Sequence, residues 1–252
     1  MRELERDCTP CRATRRLTIV GQGRLGRALA RALKATDYAV EGPLGRGADG
    51  ASADVVLLCV PDAQIASAAA LIVPGPRVAH CSGATGLAAL APHEAFSMHP
   101  LMTVTAHGAT FAGAGAAIAG STPRALLVAR ELATALQMDA VEVSEQDRAA
   151  YHAAASISSN FLVTLEGAAE RVAATAGLDR EMLVPLVRAT VENWAELGAR
   201  RALTGPVARG DEATVAGQRD AISERAPELL ELFDALASAT RALAREPEAQ
   251  PA

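Results

Sequence analysis

Short apolar runs alternate with longer amphipathic stretches over the first 143 residues, and this alternation sets the expected fold. The runs near 17–20, 38–44, 54–60, 77–81, 95–98, 116–119 and 140–143 read as strands. The clearest is Asp54-Val55-Val56-Leu57-Leu58-Cys59-Val60, an unbroken apolar stretch of the kind buried on both faces of a sheet. Pro61 ends it, and Asp62 stands where it can cap the helix that follows. A helix-forming run from Arg24 to Leu33 follows the first strand. Ser121-Thr122-Pro123, a cap followed by proline in the first turn, opens another helix. Strands that alternate with helices in this way predict an α/β domain built on a mostly parallel sheet.

Beyond Ser144 the strand signals stop. A long helical pattern over 145–176 is closed by Gly177, and Asp179 is placed to cap a second helix running to about residue 201. A turn-rich break at 204–211 precedes helices near 212–222 and 226–245. The pattern divides the chain into a disordered leader at 1–16, the α/β domain at 17–143, an all-α domain at 144–245 and a disordered tail at 246–252. The first long helix carries Ala153, Ala154, Ala155, Ile157, Phe161, Leu162 and Leu165 around most of its circumference. Such a helix is buried on most sides, more than one small domain covers, so a homodimer is expected.

The first strand opens directly into Gly21-Gln22-Gly23-Arg24-Leu25-Gly26. A strand, a G-x-G-x-x-G turn and a helix in this order form the phosphate-binding element of Rossmann-like dinucleotide folds. The first glycine permits the tight turn, the second lets phosphate approach the backbone, and the third allows close helix–strand packing. Free N–H groups at the helix start face the anion. These six residues, with Val60 and Pro61 at the end of the third strand, are the expected cofactor contacts. Which dinucleotide is bound turns on the end of the second strand, where Glu41 falls early and Arg46 just beyond. A guanidinium at that point suits a 2′-phosphate, so NADP is expected over NAD.

Composition narrows the partners. Half of the 252 residues are apolar, aromatics are 3%, and the formal net charge is −5. The core is therefore built from Ala, Leu and Val, and there is no basic footprint for nucleic acid. No apolar run reaches membrane-span length. Cys8 and Cys11 form a single C-x-x-C without the two further ligands a zinc site needs, so no metal is expected. Cys59 and Cys81 lie in buried apolar runs, which fits a reducing, cytoplasmic compartment. Lys34 is the sole lysine.

Three segments set polar groups in apolar surroundings: His80-Cys81-Ser82-Gly83-Ala84 and Ser97-Met98-His99-Pro100 at strand ends, and Tyr151-His152 to Ser159-Asn160 on a helix. In open α/β sheets ligands bind at the carboxyl ends of the strands. On the helix, His152, Ser156, Ser159 and Asn160 share one face by their spacing. Hydride transfer to a carbonyl or imine needs a proton donor. His99 is the first candidate because an imidazole titrates near neutral pH, and His152 is the second. Ser82 and Asn160 are candidates to hold the carbonyl or carboxylate. Ser156 faces the same cleft in this reading, and Arg209 would clamp a substrate carboxylate with Asp211 orienting it, although Arg209–Asp211 also reads as a helix cap.

On the glycine turn, the segments at Ser82 and Ser97–Thr103, Ser159-Asn160-Phe161 and the loop from Thr204 to Asp211, the chain resembles a Rossmann-like family whose C-terminal half is a helical domain of unknown function. That family is similar to the superfamily of 6-phosphogluconate dehydrogenase, ketopantoate reductase, pyrroline-5-carboxylate reductase and prephenate dehydrogenase. The resemblance implies a nicotinamide-dependent oxidoreductase, dimeric, acting on a small carboxylic acid. Ketopantoate reduction is the first candidate, a pyrroline-5-carboxylate-type imine reduction the second and a prephenate-type dehydrogenation the third. A non-catalytic NADP-binding sensor or scaffold is the alternative of another class. In the hydroxyacid dehydrogenases and ketopantoate reductase a Lys-x-x-x-Asn supplies the catalytic lysine. The matching positions here are Ser156 and Asn160, so lysine-dependent chemistry is excluded. His99-Pro100 instead resembles the His-Pro of prephenate dehydrogenase, with Ser82 like the serine before it.

Overall fold

The computed structural model describes residues 15–247; the Cys8–Cys11 pair and most of the expected leader and tail lie outside them. The seven expected strands are all present, with ends moved by a few residues: β1 (Arg16–Val20), β2 (Ala39–Leu44), β3 (Val55–Leu58), β4 (Arg77–His80), β5 (Ala95–Leu101), β6 (Gly115–Gly120) and β7 (Asp139–Glu142). They form one sheet in the order β2-β1-β3-β4-β5-β6-β7. Every pair is parallel except β5 with β6. This is the Rossmann-like α/β arrangement that the sequence predicts. The order reverses at β1, whose neighbours are β2 and β3, and that switch point is where open sheets take ligands.

Strand β5 runs further than expected because of its second partner. It pairs with β4 only through Ala95, Phe96 and Ser97, while its later residues pair with β6 down to Leu101 opposite Gly115. Past Ser97 the strand has one neighbour, so Pro100 and its missing N–H are tolerated there.

Alternation along β3 builds the core on both faces. Val55 and Leu57 join Leu29 and Leu33 of α1 (Arg24–Leu33), while Val56 and Leu58 join Ile65 of α2 (Ile65–Ala69). All of these side chains are buried. Helix α3 (Pro123–Ala135) covers the α1 face with Val128, Ala129 and Leu132. It starts where the sequence predicts: Thr122 Oγ1 accepts a hydrogen bond from the Ala125 N–H at 3.0 Å, and its hydroxyl donates to Glu94 at 2.7 Å.

The expected helix over 145–176 is broken into α4 (Arg148–Ser156), a π-helical turn (Ile157–Phe161) and α5 (Leu162–Thr175). A π turn changes the helical phase, so the face expected to carry Ser156 and Asn160 together is not a regular one. Further along are α6 (Arg180–Leu197), α7 (Ala199–Ala202), α8 (Pro206–Arg209), α9 (Glu212–Arg225) and α10 (Leu230–Arg245). Gly198, at φ +76°, separates α6 from α7 where one helix was expected. Asp179 sits at the cap position of α6 without a side-chain bond to the helix.

The chain divides into two compact units, one ending at Ser159 and one starting at Asn160. The sequence placed this boundary at 143/144. Helix α4 belongs with the sheet because buried Arg148 and half-buried Tyr151 bond to side chains of β5. The second unit has its own apolar centre, with Ala168, Ile222, Ala226 and Leu229 packed by Val172, Leu230 and Phe233. No described helix is long and apolar enough to cross a membrane.

Leu132 is fully buried between α3 and the sheet. Leu132→Ala removes its methyl groups and leaves a cavity, so urea unfolding is expected to show a loss of about 2–5 kcal/mol.

Candidate active site

The glycine turn is shaped by what lies beneath it. Gly21 has φ +118°, and a Cβ on it would stand 2.3 Å from the carbonyl oxygen of Cys59. A Cβ on Gly26 would stand 2.0 Å from the carbonyl oxygen of Gly21. Both positions therefore require glycine. Gly23 has nothing within 4 Å of its Cβ direction and faces open space. It is also the N-cap of α1 and offers no side chain to the helix start, whose N–H groups are left for an anion.

These residues border a cavity of about 310 Å³ lined by Gly21, Gln22, Gly23, Arg46, Val60 and Pro61, all expected cofactor contacts. Gly45, Cys59 and Gln64 complete it. Arg24 is exposed at the first position of α1, and Leu25 is half-buried beside it. The Arg46 guanidinium donates to Gln64 Oε1 at 2.7 Å, which holds a cation on the cavity wall. Glu41 lies within β2, and its carboxylate accepts the hydroxyls of Thr18 at 3.3 Å and Ser52 at 3.0 Å. The donor set fits a pyrophosphate at the turn and a further anion at Arg46.

The next strand ends carry a polar cluster. Ser82 follows β4 and is buried. Its hydroxyl donates to Asp62 Oδ2 at 2.7 Å and accepts the N–H groups of Ala84 and Thr85 at 3.2 and 2.9 Å. One donor and two acceptor sites are the capacity of a hydroxyl, so Ser82 ties the β4 loop to the β3 loop and has no group left for a substrate. Asp62, expected to cap a helix, makes no such cap and takes the serine hydroxyl instead.

His99, on β5, has Nδ1 2.7 Å from the Tyr151 hydroxyl of α4. The His152 ring lies edge-on at 6.2 Å between centroids. Gly83 allows both imidazoles to close in, since a Cβ there would be 2.8 Å from His152 and 2.9 Å from His99. Burial, helped by the nearby His152, lowers the His99 pKa to about 4. This corrects the expectation of an imidazole titrating near neutrality: His99 is neutral at pH 7. Burial raises the Tyr151 pKa, so the phenol keeps its proton. His80, wholly buried, is lowered to about 4 by the same cause, and its Nδ1 accepts the Ser82 N–H at 3.2 Å.

Arg148 is the charged group inside this region. It is 4% exposed, donates to Ser97 Oγ at 3.2 Å and lies 3.5 Å from the Glu145 carboxylate. Sequence reasoning gave no role to Arg148, Gly83 or Tyr151 and gave Asp62 only that of a helix cap. The only local signal was Tyr151 beside His152. Ser156 closes α4 and is half-buried.

Asn160, Arg209 and Asp211 belong to the helical unit. Asn160 is exposed in the π turn, and Arg209 is exposed at the end of α8. Asp211 caps α9, accepting the Thr214 N–H at 3.1 Å and hydroxyl at 2.7 Å. These bonds to Thr214 lower its pKa. Lys34, at the end of α1, donates to the Gly42 carbonyl at 3.2 Å. Among the described residues no group of three or more His, Cys, Asp or Glu side chains is placed to hold a metal ion.

Solved structures share this fold. A protein of Thermotoga maritima is 25% identical, with a TM-score of 0.80 over 91% of this chain and 100% of that one. A proposed NADP oxidoreductase of Bacteroides fragilis is 19% identical, with a TM-score of 0.77 over 91% and 98%. The pyrroline-5-carboxylate reductase of Streptococcus pyogenes is 13% identical, with a TM-score of 0.59 over 92% and 98%. No curated protein matches the sequence. A family model does match residues 114–240, from β6 through most of α10, and on that match the chain belongs to the family described as a domain of unknown function, DUF2520.

Proposed function

We propose that this protein is an NADP-dependent oxidoreductase that reduces a C=N or C=O bond of a small carboxylic acid. The observation that carries this reading is the cavity at the switch point of the sheet, where the open Gly23, the uncapped start of α1 and the Arg46 guanidinium gather three anion-binding features. The Bacteroides protein and the streptococcal reductase support it by their described activities. When bound, the nicotinamide supplies a hydride. The turn N–H groups hold the pyrophosphate, and Arg46 holds the 2′-phosphate.

Of the two substrate classes, the sequence put the 2-oxo acid ketopantoate first. The neutral His99 favours a cyclic imine. A carbonyl gains negative charge on oxygen as hydride arrives and needs an acid, whereas an iminium already carries its proton. A neutral imidazole has one donor and one acceptor nitrogen. With Nδ1 donating to the Tyr151 oxygen, Nε2 is left to accept the N–H of an iminium. With the phenol donating to Nδ1, Nε2–H meets a carbonyl oxygen, and this keeps the oxo acid as the second reading. The helical unit is proposed to form a homodimer: α6 has no buried residue and exposes Met182, Leu186 and Trp194 at 56–66%.

Fluorescence titration is expected to show NADPH binding that Arg46→Ala weakens by about ten- to a hundredfold, with NADH nearly unaffected. Equal weakening for both would remove Arg46 from the 2′-phosphate. With pyrroline-5-carboxylate as substrate, His99→Ala is expected to lower kcat/KM by at least about a hundredfold and Tyr151→Phe by about tenfold. Activity is expected to hold as pH falls from 7 and to drop only as His99 gains its proton near pH 4. An acidic limb near the ordinary histidine pKa would mean that His99 is not held neutral. Turnover of ketopantoate but no imine would select the second reading, and NADPH binding without turnover of either would select the sensor. Light scattering is expected to give twice 25.9 kDa, falling to the monomer value in Leu186→Glu; a monomeric wild type at micromolar concentration would refute the dimer.

A further inference from the structure

Two thiols lie at the strand ends beside the cavity and take no part in the proposed reaction. Cys59 follows β3 and Cys81 follows β4, one step beyond the paired residues Leu58 and His80 of these adjacent parallel strands. Their sulfurs are 4.0 Å apart. Cys59 is half-buried and lines the cavity, whereas Cys81 is 6% exposed behind it. The contact with Cys59, together with burial, pushes the Cys81 pKa up, so Cys81 keeps its proton; either sulfur can donate the S–H of the contact. An oxidant entering the cavity meets Cys59 first, with a second thiol already in contact. This is the arrangement of an attacked cysteine and its resolving partner.

Cys59 is also part of the surface that shapes the glycine turn. Its carbonyl oxygen occupies the space a Cβ on Gly21 would need, and its own Cβ lies 3.3 Å from the Cβ direction of Gly26. Its N–H donates to the Val20 carbonyl at 2.7 Å, fixing it to the residue just before the turn. A disulfide requires the sulfurs to approach to about 2.05 Å. Closing that gap draws on Cys59, and the turn has no slack against it.

We propose that Cys59 and Cys81 are a reversible redox modification site in the wall of the cavity, converted by hydroperoxides into a disulfide that weakens dinucleotide binding. The consequence for binding rests on the cofactor reading given above; the cross-link does not. In the first step the Cys59 thiol takes one peroxide oxygen to become a sulfenic acid, and the peroxide leaves as water or an alcohol. In the second the Cys81 sulfur attacks the Cys59 sulfur, the S–OH bond breaks, and a water leaves with the Cys81 proton. Two thiols are oxidised by two electrons and one peroxide is reduced. A thiol reductant reverses the product by exchange.

The test uses the full chain carrying Cys8→Ser and Cys11→Ser, treated with hydrogen peroxide. The expected result is a mass loss of about 2 Da, two hydrogens, and a cross-linked Cys59–Cys81 peptide. The NADPH Kd is expected to rise at least tenfold and to recover in dithiothreitol. Saturating NADPH added first is expected to slow the cross-link. In Cys81→Ala the same treatment is expected to add oxygen at Cys59 without a cross-link. Failure to find the cross-link in protein that binds NADPH when reduced overturns the site. A cross-link with unchanged Kd overturns its effect on binding, as does an equal, dithiothreitol-reversible loss of affinity in Cys81→Ala. Reduced protein that does not bind NADPH refutes the cofactor reading instead, and the mass measurement still decides whether the pair cross-links.

Discussion

The carbonyl oxygen of Cys59 lies where a side chain on residue 21 would begin, and the carbonyl of Gly21 lies where one on residue 26 would begin. This double close approach locks the end of β1, the start of α1 and the end of β3 into one arrangement. The sheet register follows the same geometry, with Val20 opposite Leu58 and the Cys59 N–H on the Val20 carbonyl. Because both glycine positions are closed by backbone atoms rather than by flexible side chains, the turn cannot be relaxed by a rotamer change. What remains open is Gly23 alone. Gly23 is thus the open position of an otherwise filled turn, and it borders the cavity.

From that junction the site is assembled by loops at successive strand ends. The Ser82 hydroxyl on Asp62 ties the loop after β4 to the loop after β3. Gly83, the next residue, lets the imidazoles of His99 and His152 close in on that loop. Ser82 was a natural substrate contact in the sequence, and the structure makes it a fastener instead. A fastener buried at the mouth of a cleft affects chemistry by what it positions. Here it holds the Asp62 carboxylate near enough to oppose the lowering of the His99 pKa, although burial and His152 prevail.

Local pattern and distant contact were legible in the sequence to different degrees. Helix α1 was read to the residue, and all seven strands were found, because their apolar periodicity is written within a few neighbours. The glycine turn was legible for the same reason. The bond between His99 and Tyr151 joins residues 52 positions apart, and no local spacing encodes it. The neutral state of His99 is a further step removed, since it depends on burial by several segments at once. Helix ends fared in between. Thr122 and Asp211 cap as their residue types suggest, while Asp179 takes the cap position without the bond, and the π turn and the break at Gly198 interrupt helices whose composition looked continuous.

The position of the sole lysine and the burial of His80 and His99 lead to one constraint on chemistry. Lys34 is held at the end of α1 by the Gly42 carbonyl, so among the described residues no lysine ammonium stands in the polar cluster. His80 and His99 are neutral across the working range, and Tyr151 keeps its proton. Arg148 is buried, donating to Ser97 beside Glu145. Neither imidazole nor the phenol changes its charge near pH 7. Under the proposed reaction, a proton the product needs therefore comes from none of these groups but arrives on the substrate, from His152, the second candidate acid beside His99, or from solvent. A substrate that carries its own proton meets that constraint with the fewest parts, and for this reason the role proposed for His99 is to orient an N–H rather than to act as an acid.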